Sequence, residues 1–353
     1  MSDAEVIPIS SASRSSTAKG MPRPQPRVRC RATTSSGRPC RNYAVTASGY
    51  CRTHADNEGQ RQAHPSRNTE RSPDPSDDDE AMGLEQFFRH RLAGDYPVDD
   101  FGYDRQLSRE ILLPLAGLLY HRYFRVRTLG VERVPANGAA LIVANHSGSV
   151  PLDAVMMQYG LATEHPSKRI VRCVAANLAF RTPFIGPLAR KSGNAVAIEE
   201  DTFELLRRGE LVGVFPEGYK GVGTGWRERY RLQRFGRGGF METALRAGVP
   251  IIPVAIVGAE EAYPMIANAK WLARAFGFPY FPITPTFPLL GPLGAMPLPS
   301  KWIIEFGEPI DLSTYPKDAA EDAMLVFDLA DRVRDTIQQM LFENLSKRGS
   351  AFF

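Results

Sequence analysis

Two residues in this chain stand at a spacing that can move a proton. His146 and Asp153 are separated by six residues, in a stretch that begins with the apolar run Ala140 to Ala144 and continues Asn145, His146, Ser147, Gly148, Ser149, Val150, Pro151, Leu152, Asp153. An imidazole can take the proton of a hydroxyl, and a carboxylate beside it fixes one tautomer and stabilises the imidazolium that forms. Along one continuous helix the two would lie about 10 Å apart, too far for a hydrogen bond. The chain between them must fold back, which Gly148 and the placing of Pro151 permit. A second acid, Glu217, sits in Phe215-Pro216-Glu217-Gly218, again directly after an apolar run. It is either part of the same rim or an ordinary capping or solvated acid.

These groups need a sheet behind them. Ala140 to Ala144 has the length of one buried strand, and Pro151 stands where a helix begins. Open α/β sheets hold ligands beyond the carboxyl ends of their strands, where His146 would lie. Further on, strands are expected at 126–131, 170–175, 195–198, 211–215, 251–257 and 302–306. Helices are expected at 183–191, 201–208, 237–247 and 319–345, the last with Met324, Phe327, Val333, Ile337 and Leu341 on one face. Such alternation predicts an α/β domain, over 85–348, whose mainly parallel sheet is flanked by helices. From Leu107 to Phe124 an apolar run ends in Tyr120, Arg122 and Tyr123. It is too short to span a bilayer, and is either a core helix or one lying in a membrane interface. Ala262 to Pro299 is a long Pro-rich excursion, predicted to hold no regular helix or central strand, and to be a cap over the cleft or a surface resting on lipid.

Composition narrows the class. With 43% apolar residues and a net charge of +4, the chain supports a large buried core and excludes no partner by charge alone. No stretch is apolar enough for a spanning helix, and no secretion signal is evident, so a mostly soluble fold that is not exported is expected. Residues 1–28 read as a disordered basic tail and 57–84 as a disordered linker. Between them, over 29–56, Cys30, Cys40, Cys51 and His54 give C-x9-C-x10-C-x2-H, the ligand set of a structural zinc site, against three unrelated reduced cysteines. The segment is similar to small CCCH zinc modules of the WRC type. Its basic flank, Arg23 to Arg31, can touch nucleic acid or anionic lipid through charge alone or be plain solvated tail. Nucleic acid is not expected to be a main partner.

Asn145-His146 with Asp153, then Phe-Pro-Glu-Gly at 215–218, then Val249 to Val254 resemble three successive blocks of the glycerolipid acyltransferase superfamily. The resemblance covers about Gly130 to Asp311. It implies an acyl-CoA or acyl carrier protein donor, a lipid acceptor, a membrane surface, and direct transfer with no catalytic cofactor and no covalent intermediate. Carried over, His146 is the general base, Asp153 its partner, and Phe215, Pro216, Glu217, Gly218 and Lys220 belong to the acceptor site. Six residues between His and Asp, where the common motif has four, resemble the branch near mono- and diacylglycerol acyltransferases. Glu199 stands where phosphate-accepting members have an Arg, and Tyr219-Lys220 replaces Thr-Arg. Arg grips phosphate bidentately and Glu repels it, so the residues favour an uncharged acceptor, although Lys220, Arg190 and Lys191 could supply positive charge. A non-catalytic lipid-binding scaffold of the same fold and a metal-dependent hydrolase are the alternatives.

Overall fold

The structure, a computed structural model, describes residues 84–352 apart from 95, 148–150, 182–184, 223, 237 and 277–279. The expected basic tail and zinc segment, with Cys30, Cys40, Cys51 and His54, and the linker up to residue 83 lie outside the described residues. Among those described, no three or more His, Cys, Asp or Glu side chains are placed to hold a metal ion, and no helix is long and apolar enough to cross a membrane.

Seven strands form the central sheet: β1 (Arg127–Leu129), β2 (Ala140–Ala144), β3 (Val171–Ala175), β4 (Ala195–Val196), β5 (Leu211–Val214), β6 (Ile251–Val257) and β9 (Ile303–Phe306), in the order β1-β9-β6-β2-β5-β3-β4. The pairs are parallel except β6 with β9, which run antiparallel. The apolar runs of β2 and β6 are buried along their whole length, as expected of strands covered on both faces. Alternation divides their side chains between two cores. Leu141, Val143, Ile251, Ala255 and Val257 face the helices Gly239–Ala247 and Ala323–Arg348. Ala140, Ile142, Ile252, Val254 and Ile256 face the helical run 105–123 and the helix Leu152–Glu164. Truncating either wholly buried Ile142 or Ile252 to Ala should cost about 2–5 kcal/mol.

Three expectations are corrected. The buried stripe of the C-terminal helix is Val326, Leu329, Ala330, Val333, Ile337 and Leu341, while Met324 faces solvent. Helical spacing from Val333 reaches Val326 and Ala330 but steps past Phe327, which instead lies under the Arg234 guanidinium. Tyr120 is not at a headgroup level. It is wholly buried and donates to Glu164 at 2.8 Å, so the inner stripe of 105–123 belongs to the core while Leu115 and Leu118 stay exposed. Finally, the excursion does contain a helix, Lys270–Phe276, placed between Pro264 and Pro279 where no proline removes a donor, and a small hairpin of β7 (Ala267–Asn268) with β8 (Pro282–Ile283).

The topology fixes where that excursion lies. β6 ends at Val257, β9 begins at Ile303, and these two residues are register partners. The chain therefore leaves and re-enters the sheet at one edge, the edge where β2 ends before His146 and β5 ends before Phe215.

Candidate active site

Asn145 closes the buried run of β2. Its side chain donates to the carbonyl of Ile256 at 3.0 Å and accepts from the Ile256 N–H at 2.7 Å, pinning the strand end to β6. His146 follows at once, with its side chain 17% exposed, and Nδ1 lies 2.7 Å from Asp153 Oδ2. Asp153 enters from the first turn of the helix Leu152–Glu164, behind Pro151, and is wholly buried. Its carboxylate also accepts the N–H of Ser147 at 3.0 Å and of Ala154 at 2.8 Å. Three donors on one carboxylate offset much of the cost of burying it. The backbone thus wraps round the acid, as the fold-back requires, and the ring is held through Nδ1 with Nε2 left for a reacting hydroxyl.

A second carboxylate holds His146 from behind. Residues 215–218 form a tight turn, in which the Gly218 N–H donates to the Phe215 carbonyl at 3.0 Å and Gly218 takes φ +57°. The turn delivers Glu217 inward: it accepts the His146 N–H at 3.0 Å and the Gln233 N–H at 2.7 Å. Glu217 is therefore a brace on the backbone of the base. The Phe215 ring lies 4.7 Å from the imidazole, and Lys220 is exposed on the short helix Tyr219–Val222. Sequence reasoning did not single out Gly221, where a Cβ would stand 2.7 Å from the His146 carbonyl, nor Gln233. It had no signal for Gln233, whose part is played by a backbone N–H.

Electrostatics follow from this packing. Burial pulls the His146 pKa down, but the charge and hydrogen bond of Asp153 and the charge of Glu217 outweigh it, and the pKa is raised. Burial likewise raises the Glu217 carboxyl against the two N–H groups it accepts. Beyond Phe215 opens a cavity of about 300 Å³, lined among others by Pro216, Ile198, Glu199, Thr202, Phe235 and Phe240. Glu199 is ion-paired with Arg246, and no cationic side chain lines this cavity among the described residues. Arg190 lies over the Phe180 ring and Lys191 bonds Tyr96 Oη at 3.4 Å. Neither borders the cavity.

Comparison with known proteins finds relatives of the same region. The family model described as Acyltransferase matches residues 125–257, which contain β2, His146, Asp153, the 215–218 turn and β6. An uncharacterized protein of Mycobacterium tuberculosis is 52% identical over 267 residues, covering 76% of this chain and 75% of that one. An uncharacterized Mycobacterium leprae protein is 49% identical over the same length, 76% and 73% of the two chains. A Bos taurus protein, "DGAT1/2-independent enzyme synthesizing storage lipids", is 28% identical over 216 residues, 60% of this chain and 58% of its own. The crystal structure of the 1-acyl-sn-glycerophosphate acyltransferase PlsC from Thermotoga maritima overlays with a TM-score of 0.46 at 19% identity, over 75% of this chain and 90% of that one. Through residues 125–257 the chain belongs to the Acyltransferase family, and it is an acyltransferase.

Proposed function

We propose that the enzyme moves a fatty acyl group from the thioester of acyl-CoA or acyl carrier protein directly to the hydroxyl of an uncharged glycerolipid, working as a peripheral membrane protein. The observation that carries the mechanism is the 2.7 Å contact of His146 Nδ1 with a wholly buried Asp153. It leaves Nε2 as the base. Nε2 takes the acceptor proton as the hydroxyl oxygen attacks the thioester carbonyl. The tetrahedral intermediate then collapses to the ester and expels the thiolate, which takes the proton back from the imidazolium.

The acceptor class rests on the cavity beside Phe215. Among the described residues its one acid is matched by Arg246 and the rest of its lining is apolar or hydroxylic, so a dianionic headgroup finds no bidentate partner among them. The name of the bovine relative, an enzyme synthesizing storage lipids, points the same way.

The test is to incubate the purified protein with labelled palmitoyl-CoA and a panel of lysophosphatidate, other lysophospholipids, mono- and diacylglycerol and a long-chain alcohol. The neutral acceptors should turn over faster. Glu199→Arg replaces the acid of this cavity by a cation, so it should shift preference towards lysophosphatidate. A wild-type preference for lysophosphatidate of about tenfold, roughly 1.4 kcal/mol, would overturn the uncharged-acceptor reading.

A further inference from the structure

The excursion between β6 and β9 leaves its apolar side chains outside. Leu289 is 86% exposed, Trp271 71% and Leu293 70%, with Ile266, Leu290 and Met296 also exposed. Soluble proteins show single exposed leucines commonly but seldom gather several large apolar side chains on one short segment. The segment is built to keep that shape. The Thr286 hydroxyl donates to the Gly294 carbonyl at 3.1 Å, and a Cβ on Gly294 would meet the Thr286 carbonyl at 2.3 Å, so the chain doubles back closely and holds Leu289 to Leu293 at the bend.

Its charge is one-sided. Between Glu261 and Glu305 there is no Asp or Glu, while Lys270 and Arg274 are exposed and Lys301 closes the stretch. The run that abuts it has the same character. There is no acid between Glu110 and Glu132, Arg122 and Arg125 are exposed, and the Tyr123 hydroxyl donates to the Pro297 carbonyl at 2.5 Å while Arg125 donates to that of Pro299. Apolar side chains with an exposed Trp and flanking cations are the composition of a surface that enters the headgroup region of an anionic bilayer.

The place in the fold gives this surface a use. The excursion rises from the edge of the sheet that carries His146, and the Trp226 N–H, in the chain following the 215–218 turn, donates to the Met265 carbonyl at 2.8 Å. Tyr280, also on the excursion, has its pKa pushed up to about 12 by burial, with the charge of Asp153 adding to it.

We propose that the stretches 262–276 and 280–301 of the excursion are the surface on which the enzyme rests on an anionic bilayer, with Leu289, Leu290, Leu293 and Trp271 inserted among the headgroups and Lys270, Arg274 and Lys301 against lipid phosphates. This deepens the peripheral-membrane reading above and rests on it. An acceptor dissolved in that leaflet would then reach the His146 edge without crossing water.

The experiment uses the full chain and sedimenting vesicles of phosphatidylcholine, alone or with phosphatidylglycerol. The wild type should pellet with both and more strongly with the anionic ones. Leu289→Glu combined with Leu293→Glu alters only exposed positions and should reduce pelleting by roughly tenfold on both. Lys270→Glu with Arg274→Glu should weaken it on the anionic vesicles alone. Transfer to a short-chain, water-soluble acceptor should be unchanged in both variants. A wild type that does not pellet, or leucine variants that pellet as well as it does, would overturn the proposal. So would a wild-type dimer that the leucine variants split, since the face would then join two copies. If pelleting follows the expected pattern but no acceptor is acylated, the proposed function fails and the surface stands.

Discussion

Two buried polar networks meet at the catalytic edge, and they differ in what they leave unspent. In the first, Asp153 and Glu217 hold the ring and the backbone of His146, and Nε2 has no hydrogen-bond partner among the described residues. In the second, Tyr230 Oη is bonded to Glu261 and accepts the Gly258 N–H at 2.8 Å, while Arg348 donates to Glu261 at 2.7 Å. Gln338 then takes the Tyr230 carbonyl at 2.8 Å and the Leu232 N–H at 2.9 Å. Here every charge has its opposite, and the network joins the end of the C-terminal helix to β6. The two connect through the chain 230–233, since Tyr230 is followed closely by Gln233, whose N–H reaches Glu217. Tyr230 takes φ +61°, a left-handed conformation that costs a bulky residue of order 1–3 kcal/mol and persists only where its surroundings impose it. A matched network therefore fixes the loop that braces the base, and reactivity belongs to the network with a nitrogen to spare.

The sharpest way to test this contrast is to remove one basic side chain from each side. His146→Ala should lower turnover by about 10²–10⁴-fold, the usual worth of a general base, with the thermal midpoint near that of the wild type. Arg348→Ala should do the reverse. It strands the Glu261 charge in a buried site, which is commonly worth about 3–5 kcal/mol, so urea unfolding should shift strongly. Equal stability losses in the two variants would erase the distinction between the networks.

Glu217→Gln probes the link between them with a smaller effect. A carboxylate can accept from both N–H groups, whereas an amide offers one oxygen and turns its NH₂ towards the other donor. Turnover should fall by about tenfold, roughly 1.4 kcal/mol, with KM for the donor little changed. The charge of Glu217 also helps raise the His146 pKa, so its loss should move the acid limb of the kcat/KM profile to lower pH. An unmoved limb would mean that Glu217 acts on the backbone alone.

How far these features were legible in the sequence follows from the distance over which each is determined. The strands β2 and β6 were readable to the residue because a strand covered on both faces needs an unbroken apolar run, and Asn145 and Gly258 end those runs. The contact of His146 with Asp153 was readable because their spacing is short and their types suit one reaction. β9 was readable as a strand at 302–306, but its antiparallel pairing with β6 was not, since alternation of strand and helix implies crossovers, while here the irregular excursion returns the chain to the edge it left. The helix Lys270–Phe276 was hidden by counting prolines over the whole excursion instead of asking where they fall. The Tyr230, Glu261 and Arg348 cluster spans 118 residues of sequence between Tyr230 and Arg348, and no local pattern connects them.

Glu260 accepts the Tyr230 N–H at 2.9 Å and bears on the left-handed turn directly. Burial pushes its pKa up to about 8, the Tyr230 N–H opposes this, and the charges of Glu261 and Glu217 add to it. The sign runs with the proton count. Between the unfolded value, near 4.5, and 8 the folded chain holds a proton that the unfolded chain releases. Stability from this group is thus complete below about pH 4.5 and declines as pH rises through 8. Glu260→Gln keeps an oxygen for the Tyr230 N–H and cannot ionise, so its stability should fall less than that of the wild type across this range, with the two converging in acid. Urea midpoints measured from pH 5 to 9 decide it. Parallel curves for the two proteins would show that Glu260 is ionised in the fold throughout, and that the Tyr230 turn is held by Glu261, Arg348 and Gln338 without help from a neutral carboxyl.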